Sequence, residues 1–153
     1  MIYDLRDHQV PIPLTVGGLV SAGVYALFGG LWTPVLLTLS LIFVADIKSR
    51  IKRLVFALIL AGLAALVQPA DALICVLILF VWMLWEFGVL GGADAKLLIA
   101  AILVLNNPIV LIFISIAGGI QGVFAALRKK KEIPFVVSIF CGTGLFVLYS
   151  YLY

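Results

Sequence analysis

The stretch Gly91-Gly92-Ala93-Asp94-Ala95-Lys96-Leu97 places a carboxylate at a helix boundary between two apolar segments. A diglycine precedes Asp94, and Lys96 follows it two residues on. An ionisable side chain at the edge of a membrane segment is expensive, so by default it reads as functional. What surrounds Asp94 decides the fold, and which second carboxylate reaches it decides the chemistry.

The 153-residue chain is 65% hydrophobic and 11% charged, with a mean hydropathy of +1.32. A soluble fold needs a polar surface, and this composition does not supply one. The expected architecture is all-α: one integral-membrane domain over 1–153, a polytopic bundle of about six to eight transmembrane helices. The apolar runs are continuous and do not alternate with polar residues, which argues against a β-barrel. The polar start, Met1 to His8, leads straight into an apolar segment with no cleavable signal peptide evident. Cys75 and Cys141 lie inside apolar runs with no Cys-x-x-Cys pair, so they read as small buried hydrophobes. His8 is the one histidine. A multi-histidine metal site is therefore excluded, and no cofactor is expected.

The basic residues fall at Arg6, at Lys48 to Arg53, at Lys96 and at Arg128 to Lys131. The breaks between them (Gly29-Gly30, Gln68-Pro69-Ala70-Asp71 and Asn106-Asn107-Pro108) carry none. If the chain crosses a bilayer between each cluster and each break, all basic groups share one side. The positive-inside rule makes that side cytoplasmic. The expectation is a multi-pass plasma-membrane protein. The clusters are short juxtamembrane loops, which suit the lipid bilayer and not nucleic acid as partner.

Seven helices follow in order. They are Pro13–Phe28, Leu31–Ala45, Leu54–Val67, Ala72–Val89, a short one over Ala95–Leu105, Ile109–Leu127, and one that Glu132-Ile133-Pro134-Phe135 opens and that reaches the C-terminus. The small residues of the first (Gly17, Gly18, Ser21, Ala22, Gly23) predict close approach of a neighbour, as do Gly118 and Gly122 in the sixth. Tyr149, Tyr151 and Tyr153 read as an aromatic belt. Asp4, Asp46 and Asp94 then fall on the cytoplasmic face and Asp71 on the other.

Two carboxylates at hydrogen-bonding distance share one proton. The ionised one serves as base toward water, and the protonated one polarises a carbonyl. Such a pair titrates as a unit. It needs no metal and no Ser/His/Cys nucleophile, which matches what the chain has available.

At these residues the sequence resembles the type IV prepilin peptidases, including the preflagellin peptidases, which are GxGD-type intramembrane aspartic proteases. Gly91-Gly92-Ala93-Asp94 with Lys96-Leu97 is similar to their motif, in which Asp opens a helix and Lys follows. Asn106-Asn107-Pro108 falls where the family's short post-motif helix ends. Glu132-Ile133-Pro134-Phe135, after its basic cluster, looks like the start of the family's last helix.

The family's first Asp lies in an Asp-x5-[Ile/Val]-Pro pattern, and two positions compete for it. Asp4 through Val10-Pro11 matches the pattern. Asp46 resembles only its beginning but has the usual separation from Asp94, two crossings instead of four. The resemblance implies catalysis by Asp94 with Asp4, or with Asp46 in its place. Gly91, Gly92, Lys96 and Glu86 would be supporting residues. It implies cleavage of the leader from pilin, pseudopilin or archaellin precursors at the cytoplasmic membrane face. The cysteine-paired insertion of methylating relatives is missing, so no methyltransferase activity is expected. A homo-oligomer is compatible with all of this.

Each residue also has a structural reading. Asp94 suits a helix cap, and Asp46 an interfacial acid balanced by Lys48 and Arg50. Glu86 suits a snorkelling acid or a partner of Lys96, and Trp82 and Trp85 suit packing. The alternative function is a non-enzymatic membrane protein, either an assembly subunit or a proton-relaying transporter component.

Overall fold

A computed structural model describes residues 12–127 and 135–152. Asp4, the basic run Arg128 to Lys131, Glu132 to Pro134 and Tyr153 lie outside the described residues. Within them the chain is all-helical. The helices are α1 (Ile12–Phe28), α2 (Trp32–Ala45), α3 (Arg50–Val67), α4 (Ala72–Glu86), α5 (Gly92–Leu105), α6 (Ile109–Leu127) and α7 (Phe135–Leu152), with a 3-10 turn Pro69–Asp71 before α4.

The short helix α5 is the hub, touching α1, α2, α4, α6 and α7. Its buried residues Ala95, Leu98, Ile99, Ile102 and Leu103 recur at three- and four-residue steps, the apolar stripe of a core helix. Around it, α2 and α4 contribute Leu37, Leu41, Ile74 and Ile78, all buried. Helix α3 buries only Ala57 and Ala61, one turn apart, and these small side chains let α2 and α4 come close.

Small residues work differently in α1. Ala22 and Ala26 are buried, but a Cβ on Gly17 or Gly18 would meet nothing within 4 Å among the described residues. The expected close approach at that diglycine is therefore not where α1 packs. Gly118 does face a neighbour: a Cβ there would sit 3.2 Å from the Phe135 ring. The closest approach is one the sequence reading did not single out. At Gly142 of α7 a Cβ would land 2.6 Å from the backbone nitrogen of Ile114 in α6. Phe113 stacks edge-on against Phe146 beside it, with ring centroids 6.0 Å apart.

The turns have local causes. At the end of α1, Leu31 N–H bonds to the Ala26 carbonyl and Gly30 N–H to that of Leu27, with Gly30 at φ +83°. This is a Schellman stop, and its left-handed position suits glycine. Gly88, at φ +74°, ends α4 in the same way. Helix α4 therefore stops at Glu86 and not at Val89 as expected. Asn106 takes the left-handed position after α5, at φ 45°. Asn107 Oδ1 then accepts the Ile109 N–H at 2.9 Å and starts α6.

Cys75 is buried as expected. Cys141 is exposed, because it lies on the outer face of α7, one residue before the buried Gly142. Two segments, Pro69–Glu86 and Phe135–Leu152, are long and apolar enough to cross a membrane by length and composition. Much of the bundle's exterior is apolar: Phe28, Phe43 and Leu66 are 90%, 75% and 78% exposed.

Candidate functional site

Asp94 sits in the first turn of α5, which begins at Gly92, so Gly92, Ala93 and Asp94 lie inside the helix and not before it. Gly91 is the N-cap residue, with extended backbone (φ −67°, ψ 150°). The half-buried Asp94 side chain leans back over it, since a Cβ on Gly91 would lie 3.2 Å from Asp94 Oδ2. A Cβ on Gly92 would lie 3.4 Å from Trp85 Nε1. The diglycine therefore leaves room for two side chains, a carboxylate and an indole.

A cleft of about 420 Å³ opens between α1, α2, α4 and α5. Asp46 and Lys96 belong to its wall, together with Trp82, Trp85 and otherwise mainly apolar residues. Trp82 and Trp85 meet edge-on, with centroids 6.1 Å apart. The Trp82 indole N–H is buried with no acceptor among the described residues. On α5 the cleft is walled by Gly92, Ala95, Lys96 and Ile99. At about 100° per residue these four share one face, and Asp94 lies roughly 200° round from Gly92. Asp46 is therefore a cleft residue, whereas Asp94 begins on the other side of its helix.

Val16, Leu19 and Val20, near the start of α1, share this cleft with residues near the start of α5. The two helices therefore begin at the same end of the bundle.

Glu86 meets basic partners, as one of its two structural readings has it, and they are Arg53 and Arg50 in place of Lys96. Its carboxylate, 4% exposed, takes the Arg53 guanidinium at 2.6 Å and Arg50 Nε at 3.7 Å. Arg50 also donates to the Glu86 backbone carbonyl at 3.1 Å and lies 5.0 Å from the Phe87 ring centroid. Arg53 reaches the Ala45 carbonyl at 3.4 Å. The two arginines thus neutralise a buried acid and cover carbonyls at the ends of α2 and α4, where a helix dipole favours positive charge. This explains why Arg50 to Arg53, expected in a loop, open α3. Arg50 is half exposed and adds little; the weight falls on Arg53.

At the opposite end, the Thr33 hydroxyl lies 3.3 Å from both Asp71 Oδ2 and Gln68 Oε1. With one proton, it donates to one of them at a time. Asp71 is 8% exposed. The only sequence signal for this cluster was that Thr33 and the Gln68–Asp71 turn fall on the same side of the chain's crossings. Among the described residues no group of three or more His, Cys, Asp or Glu side chains is arranged to hold a metal.

Neither a family model, nor a curated protein, nor a solved structure matches the chain.

Proposed function

We propose that the chain is a polytopic membrane protein and a prepilin-type aspartic endopeptidase. The exposed Phe28, Phe43 and Leu66 support the bilayer, because apolar exterior of this extent is costly in water and costs nothing in lipid. The observation that carries the enzymatic reading is the placement of Asp94. It lies in the first turn of the central helix, over a residue with no side chain, at the end of the bundle where α1, the helix that follows Asp4 in sequence, begins.

The pair in this reading is Asp94 with Asp4. Asp46 is the alternative partner, and its place in the cleft wall, round α5 from Asp94, weakens that choice. One carboxylate takes a proton from water while the other, protonated, donates to the scissile carbonyl oxygen. Hydroxide adds to the carbonyl carbon, the C–N bond breaks and the departing amine takes a proton. The products are the leader's new carboxylate and the mature chain's new N-terminus. No methyl transfer is part of this reading. The substrate would be a pilin, pseudopilin or archaellin precursor, cut at the cytoplasmic face.

The test is co-expression with a candidate prepilin, following the leader by gel shift. Asp94→Asn abolishes processing, as does Asp4→Asn, while Asp46→Asn leaves it. Unaltered cleavage by Asp94→Asn refutes the peptidase. Loss with Asp46→Asn and not Asp4→Asn reassigns the partner. The proton-relay alternative is less favoured, because Asp46, Asp71, Glu86 and Asp94 all lie at or beside helix ends and not at mid-helix.

A further inference from the structure

We infer that the cleft between α1, α2, α4 and α5 holds one acyl chain of an ethanolamine phospholipid, with the headgroup phosphate on Lys96 and its ammonium on Asp46. The inference rests on the bilayer reading above but not on the peptidase.

The cleft's form comes from the α1–α2 pair. The two helices are held together at their Schellman turn, where Ala26 and Leu31 are both buried. Toward the other end they part. Val16 and Val20 on α1 and Ile42 on α2 line the cleft yet are 41%, 60% and 52% exposed. The opening is therefore sideways, between two helices whose outer faces are apolar, and in a bilayer it faces lipid.

Shape suits a lipid chain. The cleft, about 420 Å³, is walled mainly by apolar side chains of α1, α2, α4 and α5, and a single hydrocarbon chain is narrow enough to enter it sideways from the bilayer. Charge selects the headgroup. Among the described residues the apolar wall carries one cation, Lys96, and one anion, Asp46. A phosphate suits the lysine. An anionic headgroup satisfies Lys96 and is repelled by Asp46. A choline group brings a cation without an N–H to donate. A primary ammonium brings both charge and donors to the carboxylate.

The experiment uses the full chain in nanodiscs of phosphatidylcholine doped with equal phosphatidylethanolamine and phosphatidylglycerol. Mass spectrometry counts the phospholipid retained after mild detergent extraction. The expected result is one retained phosphatidylethanolamine per chain. Ile42→Trp at the exposed lip blocks the chain and brings retention down from one lipid per chain toward none. Val20→Trp on the facing lip replaces it if Ile42→Trp lowers helicity. Asp46→Asn brings the ethanolamine-to-glycerol ratio down to that of the disc. Lys96→Gln lowers retention of both lipids, and Asp94→Asn retains lipid like the wild type. Retention at the bulk ratio, indifference to both lip variants, or an apolar peptide co-purifying in place of lipid overturns the site. Recovery of the chain in the soluble fraction without detergent overturns the bilayer reading instead.

Discussion

Replacing Gly142 by alanine should loosen the pairing of α6 and α7. The added Cβ meets the Ile114 nitrogen at 2.6 Å and its Cγ1 at 2.9 Å, and falls closer still to its Cα. Carbon contacts settle at about 3.5–4.0 Å, so the shortfall is about 1 Å. The obstacle is mostly backbone, which no rotamer change removes, so the helices must separate. A gap of ~1 Å forfeits up to half of each affected contact, and overpacking of this kind costs about 1–3 kcal/mol. Against this, alanine gains up to about 1 kcal/mol over glycine in helix propensity.

Gly144 separates the two effects. It lies in the same helix with nothing within 4 Å of a Cβ among the described residues, so Gly144→Ala keeps the gain without the clash. Unfolding of both variants in mild micelles titrated with SDS, followed by far-UV circular dichroism, should place Gly142→Ala about 1–3 kcal/mol below Gly144→Ala. Ile114→Ala removes only the side-chain part of the obstacle and should not rescue Gly142→Ala. Equal stability of the two glycine variants, or full rescue, would refute the reasoning.

Removing Arg53 leaves the Glu86 carboxylate, 4% exposed, with the half-exposed Arg50 as its cation among the described residues. Arg53→Ala should cost about 3–5 kcal/mol, and Arg53→Met combined with Glu86→Gln much less than the sum of the two, read by the same unfolding curves. Gly91→Ala puts a Cβ 3.2 Å from Asp94 Oδ2. A flexible carboxylate yields by a few tenths of an ångström, so stability holds while, on the proposed peptidase reading, the rate of leader cleavage falls up to about tenfold; an unchanged rate would mean that this carboxylate's position is unimportant. Thr33→Val removes the hydroxyl beside the buried Asp71, and should cost about 1–3 kcal/mol in a thermal melt, with Thr33→Ser close to wild type.

The helix order was legible in the sequence because apolar runs and their breaks have local causes. Gly29-Gly30 and Asn106-Asn107-Pro108 stop helices by their own backbone preferences, and both stops fall where expected. The errors came where a distant partner overrides local chemistry. Lys48 to Arg53 reads as a loop from charge alone, but α3 starts at Arg50 because Glu86, more than thirty residues away, supplies the counter-charge of Arg53. Gly142 and Gly144 share a Gly-x-Gly and are indistinguishable in sequence. Only the position of Ile114 makes one a contact and the other a free surface. Cys75 and Cys141 differ for the same reason, since neither apolar run says which of its faces turns inward. At the site, the motif located Asp94 and the helix it starts. It did not reveal that Asp46 and Lys96 wall a cleft reached from another face of that helix.

The Arg53–Glu86 contact also bears on how such a chain is assembled. Helix α4 ends in an acid whose neutralising cations are both supplied by α3, the helix made just before it. On the proposed bilayer reading, α4 entering alone would carry that carboxylate to the headgroup layer without a counter-charge. Entering beside α3, it would find its counter-charge already at the same surface. On that reading the two helices form a unit of insertion, a hairpin made before α5 joins it.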